Sequence, residues 1–441
     1  MFEYIKLKRF KSFGDVELNL LDRKGNPKNM ILLYGENGAG KSNLASSLLL
    51  LSETLRTMDV RDFIESMLAK QPEVMADEDF THFIKMRYKD LETLIKENKM
   101  VDSESSMYLE FGFKLNGKSG RYVFETNDSQ LIHEHLEYTL VKNRGVYFDI
   151  TPDTINISSK ILQDKKAHNE IKTACEKFWG KHSLLSIIMH EAEDKADNFI
   201  KDQLSDNFNL VLEFFNQISG KVKFGSRQER GFIGLPHEIF GEYDKGVIPK
   251  TDEALLDKTE LMLNSFFKCI YKDIEKVYYK RTYKEDNIRY KLMQTKKLAG
   301  KLRDIEFSME STGTQSLLQL LPFMLVVTHG STAVIDEFDT GVHDLLVQKI
   351  VKSLYSSLKG QLILTTHNTL LMESKLPKEN IYVISELENG EKEIQCITFY
   401  DQKIHTKTNI RDQYLSGTYN GIPDLKDVDF QQLLSLLEIN E

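Results

Sequence analysis

Apolar and polar residues alternate along much of the first 150 residues. The alternation is clear over residues 2–20, with a break at residues 12–15, and over residues 107–125, where Asn116-Gly117 marks a turn. A period of two residues predicts strands, and each break predicts the turn of a hairpin. Strand-like residues continue over 131–150. We therefore expect an N-terminal antiparallel β lobe within residues 1–155.

Two other stretches carry apolar residues at helical spacing. Residues 56–100 are highly charged and helical in pattern, which predicts a helical insertion within the N-terminal lobe. Residues 156–300 predict a second, mainly helical insertion, built from two long helices in a short coiled-coil-like hairpin. Because heptads are not sustained, a helical lobe packed on the rest of the chain is favoured over an extended arm.

Strands and helices alternate over residues 301–441. Residues 317–327 have the pattern of a buried helix, and residues 332–335 and 361–367 are apolar runs typical of core strands. Such alternation predicts an α/β sheet. The expected fold class is therefore α/β, with a mixed β-sheet core, the antiparallel lobe, a helical insertion and a C-terminal lobe over 301–441.

Composition narrows the class of protein. Hydrophobic residues make up 41% of the 441-residue chain and charged residues 28%, which is typical of a globular protein in water. The net charge of −9 argues against a surface dominated by contacts with nucleic-acid phosphates. Three distant cysteines without metal-ligand spacing predict a reduced, cytoplasmic protein. The best candidate for a membrane span, residues 317–327, is too short and contains Pro322, so we expect no membrane segment.

A glycine-rich loop separates the apolar run 30–34 from a helix-like run at 43–55. Residues 35–42 read Gly-Glu-Asn-Gly-Ala-Gly-Lys-Ser, the G-x-x-x-x-G-K-[ST] pattern of a phosphate-binding loop between a strand and a helix. The glycines let the backbone wrap around phosphate, and the amides at the helix N-terminus favour an anion. Lys41 would reach the β- and γ-phosphates of ATP, and the Ser42 hydroxyl would ligate Mg²⁺. The predicted ATP-binding residues of this loop are Asn37, Gly38, Gly40, Lys41 and Ser42.

The run Val334-Ile335-Asp336-Glu337 has the form of a Walker B motif. An apolar strand ends in two acids at the carboxyl edge of the sheet, where phosphate loops also lie. Asp336 would bind Mg²⁺, and Glu337 would orient and polarise the attacking water. Phosphoryl transfer needs little more, because its catalysis is mostly positioning and charge stabilisation.

Two further segments could contact the terminal phosphate. His367 ends the core strand after Walker B, where an imidazole could hydrogen-bond the γ-phosphate. The small hydroxyl residues and glycine of 311–316 precede the helix from Leu317, which makes a second candidate anion site. Its position far along the chain from the phosphate loop predicts a nucleotide held between two protomers. The alternative is plain helix capping by Ser311 or Thr312.

The order of these motifs resembles the ABC-type ATPase heads of the SMC/RecF group. The opening Phe10-Lys11-Ser12-Phe13 is similar to that group's N-F-[RK]-S-F sequence, which makes Lys11 a candidate for the nucleotide phosphates. The resemblance implies that Ser311 and Gly313 contact the γ-phosphate of ATP in the opposite protomer. It also implies that Asp339 belongs to the D-loop and His367 is the switch residue. A Q-loop glutamine has no clear place, although Gln71 and Gln130 are candidates by position.

A closer resemblance is to stand-alone bacterial ATPases of phage defence, of the overcoming-lysogenization-defect, abortive-infection and PARIS (AriA-like) types. It rests on residues 310–314, 336–343 and 414–423. It implies an ATP-dependent homodimer or larger homo-oligomer that controls an effector, and a phage protein as a candidate trigger. Because little chain follows Pro423 and no G-x-x-E…D-x-D set is evident, we expect a Toprim-like nuclease or other toxin to be a separate chain.

Two other functions are considered. A DNA-repair ATPase of the SMC/RecF type acting directly on DNA is the alternative, supported by basic residues and tyrosines interleaved over 278–303. An exposed hairpin with lysines on its solvent face would have the same composition. A nucleotide-binding subunit of a transporter is disfavoured by the Ser-Thr-Gly-Thr-Gln signature at 311–315 and by the helical insertion.

Overall fold

In the part of the chain that the structure describes, the strands form two seven-stranded sheets and one four-stranded sheet. The computed structural model describes residues 1–70, 88–194, 199–224, 228–234, 243–400, 409–422 and 427–436. Within these residues, every helix is too short or too polar to cross a bilayer.

The N-terminal region forms the first seven-stranded sheet. Its elements are β1 (Phe2–Phe10), β2 (Phe13–Asn19), β3 (Met30–Tyr34), α1 (Lys41–Thr54), α2 (Thr57–Lys70), α3 (Leu91–Asn98), β4 (Met107–Leu115), β5 (Lys118–Thr126), β6 (Leu131–Thr139), β7 (Arg144–Ile150) and β8 (Ile155–Ile157). Every strand in this list except β3 belongs to one antiparallel sheet with the order β2-β1-β4-β5-β6-β7-β8. Asn116 and Gly117 have φ of 48° and 75°, the left-handed pair that a tight hairpin turn requires. The predicted antiparallel lobe is confirmed.

The middle region combines short helices with strands. Its elements are α4 (Lys165–Phe178), α5 (Leu184–Asp194), α6 (Phe199–Gln203), α7 (Asp206–Asn216), β9 (Ser219–Phe224), β10 (Gln228–Phe232), β11 (Lys245–Pro249), α8 (Glu253–Ile270), β12 (Ile274–Lys284), β13 (Asn287–Leu298) and β14 (Lys301–Glu306), with a 3₁₀ turn at Lys250–Asp252. Strands β11 to β14 form the four-stranded antiparallel sheet.

The expected pair of long helices over 156–300 is therefore wrong, and its second half is mostly strand. The helical spacing of apolar residues over 255–277 continues past the end of α8 by coincidence. Tyr271 takes an extended backbone, with φ −114° and ψ 121°, and Ile274 begins β12. The side chain of Asn264 then accepts a hydrogen bond from the Val277 backbone N–H at 3.0 Å, which holds the strand against the helix it follows.

The C-terminal region completes the second seven-stranded sheet. Its elements are α9 (Thr312–His329), β15 (Thr332–Ile335), α10 (Asp344–Tyr355), β16 (Gln361–Thr365), β17 (Ile381–Glu386), β18 (Lys392–Cys396), α11 (Ile397–Tyr400), α12 (Ile410–Leu415) and α13 (Phe430–Ser435), with 3₁₀ turns at Phe307–Met309, Thr369–Glu373 and Lys378–Asn380. The sheet order is β10-β9-β15-β16-β3-β17-β18. The five inner strands are parallel, and the outer strands β10 and β18 are antiparallel to their neighbours.

This mixed sheet separates two hydrophobic cores. Alternate residues of β3 face opposite sides: Ile31 and Leu33 pack with the antiparallel lobe and α1, whereas Met30 and Leu32 pack with α9 and α10. All five residues of β3 are buried, as expected for a strand covered on both faces. The α/β class with a mixed core is confirmed. Because β9, β15, β16 and β3 run parallel, their carboxyl ends meet at one edge, and the predicted site lies there.

Candidate functional site

The phosphate loop joins β3 to α1 through backbone conformations that favour glycine. Gly38 and Gly40 have φ of 84° and 112°. Gly40 is the N-cap of α1, and no side chain caps this helix end, so the first amides of α1 keep their hydrogen-bonding capacity. A Cβ atom on Gly40 would lie 2.8 Å from the ring of Phe13, so the start of β2 packs directly against the phosphate loop.

Lys41 is held at this loop by backbone acceptors. Its Nζ donates to the carbonyl oxygens of Gly35 and Glu36, both at 2.9 Å, and the residue is only 6% exposed. Burial lowers the pKa of Lys41, and the charges of Asp336 and Glu337 oppose that shift. Phosphate oxygens would satisfy the same ammonium protons as the two carbonyls, so the loop fits a nucleotide polyphosphate.

Asp336 follows β15 and is 1% exposed. Its Oδ1 accepts a hydrogen bond from the Thr365 hydroxyl at 2.5 Å, and its Oδ2 accepts from the backbone N–H of Lys223 at 3.3 Å. The Ser42 hydroxyl, at the first turn of α1, forms no hydrogen bond with the residues described. A carboxylate and a hydroxyl beside a phosphate loop are the oxygen donors that Mg²⁺ uses in such sites.

Glu337 adopts a backbone conformation that is rare for a residue with a side chain. Its φ is 48°, and its N–H donates to the Thr365 hydroxyl at 2.8 Å, which fixes the turn after β15. The carboxylate Oε2 accepts from Lys223 Nζ at 2.7 Å and from the Thr340 hydroxyl at 3.1 Å. Lys223 Nζ also donates to Thr340 at 2.8 Å. The Lys223 hydrogen bond is the largest cause of a lowered pKa for Glu337, so this carboxylate stays ionised.

Asp339 and His367 meet at the same edge of the sheet. The backbone N–H of His367 donates to Asp339 Oδ2 at 3.1 Å, while the imidazole is exposed. Desolvation lowers the pKa of His367, and the nearby Lys41 charge adds to the effect. A neutral imidazole beside the lysine of the phosphate loop matches the location expected of the switch residue.

The signature segment lies against the loop that follows Walker B. Ser311 is the N-cap of α9 and accepts from the Thr314 N–H at 3.3 Å, so the capping interpretation is correct for this residue. A Cβ atom on Gly313 would lie 2.2 Å from the carbonyl oxygen of Gly341. Only glycine allows this approach. Ser311 is exposed, and within the described part of the chain no hydrogen bond joins Ser311 or Gly313 to the phosphate loop.

Lys11 contacts the helix that carries the phosphate loop. Its Nζ donates to the Ser46 hydroxyl at 3.1 Å, and Ser12 accepts from the Asn43 amide at 2.8 Å. Burial lowers the pKa of Lys11, and the charge of Asp336 is among the influences that raise it. The N-terminal hairpin thus braces the first turns of α1.

One of the two Q-loop candidates, Gln130, lies away from this site. Gln71 lies outside the described residues. Gln130 lies in the turn between β5 and β6, where its backbone N–H donates to the side chain of Asn127 at 2.9 Å.

Several residues that contact the site were not predicted from the sequence. Lys223 lies on β9, inside the stretch that was expected to be helical. Neither this strand nor the contact of Lys223 with Glu337 was therefore predicted. Thr365 precedes the recognised His367 and could have been found from the polar end of that strand. Lys392 donates to the carbonyl oxygen of Gly38 at 2.5 Å, from an edge strand far along the chain. The rings of Tyr414 and Tyr34 pack in a tilted arrangement with centroids 5.7 Å apart, which places the C-terminal segment against the phosphate-loop strand.

Part of the chain is similar to a known protein family. Residues 187–373 match the family described as "AAA domain, putative AbiEii toxin, Type IV TA system". No curated protein matches the chain. The matched segment contains β9, the signature, Walker B and His367, whereas the phosphate loop lies before it.

Three similar solved structures are SMC heads. The SMC head domain from Thermotoga maritima is 14% identical, with 90% of this chain and 98% of that chain covered and a TM-score of 0.38. An Smc head bound to the C-terminal winged-helix domain of ScpA is 14% identical, with 89% and 97% covered and a TM-score of 0.44. An Smc head with an extended coiled coil, bound to a ScpA domain from Pyrococcus furiosus, is 16% identical, with 89% and 95% covered and a TM-score of 0.40.

The geometry of the site and the family match both point to a nucleotide-binding domain. The fold brings the phosphate loop of 35–42, Asp336, Glu337 and His367 to one edge of a mixed sheet, and an AAA family model covers the last three of these. The chain therefore carries a phosphate loop and a Walker B motif at one sheet edge, and its residues 187–373 are similar to the AAA domain family.

Proposed function

We propose that this protein is a Mg²⁺-dependent ATPase whose copies assemble around ATP and thereby control a separate effector in bacterial phage defence. The observation that carries the proposal is the contrast between two halves of the site. Walker A, Walker B and His367 converge within one chain, whereas the exposed Ser311 has no hydrogen bond to the phosphate loop among the described residues.

Each predicted site residue of one chain has its own role in binding or hydrolysing ATP. Residues Asn37 to Ser42 hold the phosphates through backbone amides and Lys41. Ser42 and Asp336 would hold Mg²⁺, which would neutralise charge on the phosphate oxygens. Glu337, kept ionised by Lys223, orients the attacking water, and His367 contacts the γ-phosphate.

The missing contacts come from a second copy. Ser311 and the amides at the N-terminus of α9 would bind an anion at the end of this long helix. Gly313 lets that end pack directly against the loop of Asp339 and Gly341, because a Cβ at position 313 would lie 2.2 Å from the Gly341 oxygen. The signature and the D-loop therefore form one continuous surface. Docking this surface on the γ-phosphate of another protomer completes the site and makes assembly dependent on ATP.

The defence role rests on two supports. The segments 310–314 and 336–343 resemble phage-defence ATPases, and the matching family is described as a putative AbiEii toxin of a type IV toxin–antitoxin system. The resemblance to control ATPases of phage defence supports a partner that delivers the toxic activity.

Protection from phage tests this role directly. The gene with its neighbours is expressed in a bacterial host, alongside the same set carrying Lys41→Ala. We expect protection only with the intact set, and co-purification of this protein with a neighbouring gene product. Equal phage titres in both strains, and purification of the protein without a partner, would contradict the defence role while leaving the ATPase assignment intact.

Direct action on DNA is the second candidate. Arg281 pairs with Asp257 at 2.7 Å and Lys296 with Glu310 at 2.7 Å, so part of the basic stretch is neutralised within the chain. Six other basic residues form no ion pair with the residues described: Lys280, Lys284, Arg289, Lys297, Lys301 and Arg303. Duplex DNA binding that weakens steeply with salt, and is lost in Lys284→Glu/Arg289→Glu, would favour this candidate.

A further inference from the structure

A cluster of metal-ligand side chains lies on the antiparallel lobe, on a different sheet from the phosphate loop. His133 and His135 are two residues apart on β6 and therefore point to the same face of the sheet. The register of β6 with β7 sets Asp149 opposite His135, and the register with β5 sets Glu125 opposite His133. Strand pairing alone thus brings two imidazoles and two carboxylates together.

The donor atoms of three residues converge on one point. His133 Nε2 lies 2.8 Å from Asp149 Oδ1, and His135 Nδ1 lies 3.0 Å from the same oxygen. One ligand atom from each of the three residues lies within 4.8 Å of the others. A small rotation of the half-exposed Asp149 side chain would open the space for an ion bound by all three.

The second nitrogen of each imidazole also faces a carboxylate. His133 Nδ1 lies 3.9 Å from Glu125 Oε2, and His135 Nε2 lies 3.8 Å from Glu137 Oε2. His135 is 8% exposed, and its Nε2 forms no hydrogen bond with the residues described. Histidines that bind metals usually direct their other ring nitrogen to a carboxylate, which fixes the ring and strengthens the ligand. A simple histidine–aspartate ion pair does not require this arrangement on both rings.

We propose that His133, His135 and Asp149 form a binding site for a divalent transition metal ion of the Zn²⁺ class. Two imidazole nitrogens and one carboxylate suit Zn²⁺ and its first-row neighbours, whereas Mg²⁺ and Ca²⁺ prefer sites made of oxygen donors. The site opens to solvent on the Asp149 side, so water completes the coordination. A bound ion would cross-link β6 to β7 and stabilise the lobe that braces α1.

Calorimetric titration with Zn²⁺ tests this site in the full-length protein. The protein is treated with a chelator, dialysed and titrated with Zn²⁺ in buffer containing excess Mg²⁺, and Co²⁺ absorption spectra report imidazole coordination. We expect one tight site per chain. Its affinity should fall on the order of 100-fold in His133→Gln and in Asp149→Asn, and about tenfold or more in Glu125→Gln, which removes the carboxylate behind His133.

His367→Gln is the matched control, because zinc could also bind at the nucleotide site. It should keep the tight site. Retained ATP binding shows that the His133 and Asp149 variants are folded, and Zn²⁺ should raise the melting temperature of the wild type and His367→Gln but not of Asp149→Asn. Tight Zn²⁺ binding that persists in both His133→Gln and Asp149→Asn, or that disappears in His367→Gln, would overturn the proposal. So would the absence of tight binding in the wild type.

Discussion

Lys223 Nζ lies 2.7 Å from Oε2 of Glu337; Lys223 is on β9, and Glu337 lies in the turn that follows the neighbouring parallel strand β15. The backbone N–H of Lys223 also donates to Asp336, so one residue contacts both acids of the Walker B motif. The ammonium group lowers the pKa of Glu337 and fixes the direction of its carboxylate. Lys223 is therefore a positioning residue for the group proposed to orient the attacking water.

Replacement of Lys223 by Met should shift the pH dependence of ATP hydrolysis. Activity needs Glu337 ionised, and Lys223 lowers the pKa of that carboxyl. Without the lysine the pKa rises, so the acidic limb of the kcat–pH profile moves to higher pH. Loss of positioning should also lower kcat roughly tenfold at neutral pH, with a smaller change in KM for ATP.

Lys221→Met is the matched control, because Lys221 lies two residues away on the same strand and its Nζ instead contacts Gln319. It should keep the wild-type profile, and Lys223→Arg should restore part of the acidic limb. An unchanged profile in Lys223→Met would show that Lys223 has no influence on Glu337 during turnover.

Removal of the Glu337 carboxylate should separate ATP binding from hydrolysis. Glu337→Gln keeps the shape of the side chain but cannot polarise water, so we expect nucleotide binding close to wild type and hydrolysis slower by several powers of ten. Lys41→Ala should instead lose nucleotide binding. Fluorescent ATP-analogue titration and phosphate release measure the two effects, and normal turnover by Glu337→Gln would refute its assignment.

Substitution of Gly313 by Ala should detach the signature helix from the D-loop. Alanine usually favours a helix over glycine, but here its Cβ would lie 2.2 Å from the Gly341 oxygen, so the backbone must shift. We expect a loss of about 1–3 kcal/mol in the free energy of unfolding. Gly231→Ala is the control, since its nearest neighbour is Phe323 at 3.6 Å and it should cost under about 0.5 kcal/mol. Equal stabilities by denaturant titration would contradict the close packing.

The buried carboxyl of Glu134 should make stability depend on pH. Glu134 accepts hydrogen bonds from Trp179 Nε1 at 2.8 Å and from the Leu184 N–H at 2.7 Å, but burial raises its pKa from 4.5 to about 7. The folded chain therefore holds a proton that the unfolded chain releases between these pH values, and stability falls as the pH rises through this window. Relative to Glu134→Gln, the wild type should lose up to about 3 kcal/mol between pH 4.5 and pH 7. Parallel stability curves for the two proteins would contradict the shift.

The sequence was most informative where chemistry depends on a short segment. The phosphate loop and the Walker B run are each set by contiguous residues, so their strands, their helix and their candidate ligands could be predicted without knowing the neighbours. The strand at 332–335 and the Asn116-Gly117 hairpin were likewise local features. In each case the backbone conformation follows from residue types within a few positions.

Contacts set by strand pairing could not be predicted in this way. Lys223 reaches Glu337 only because β9 joins the central sheet, and the spacing of apolar residues around it indicated a helix. His133, His135 and Asp149 meet only in the observed register of β6 and β7. Where a helix runs directly into a strand, as between Ile270 and Ile274, the apolar residues of both elements can together fit a helical spacing. Only the packed structure shows where the helix ends and the strand begins.

A mixing experiment tests the composite ATP site most directly. Lys41→Ala removes the phosphate loop of one copy, and Ser311→Asp keeps the helix cap while placing a negative charge where the γ-phosphate would dock. Each variant alone should be inactive, and the neutral Ser311→Asn should retain activity. In an equal mixture, random pairing leaves an intact phosphate loop facing an intact signature at one composite site in four, so ATPase activity should recover to roughly a quarter of wild type. No recovery in the mixture, or full activity of Ser311→Asp alone, would show that one chain hydrolyses ATP without its neighbour.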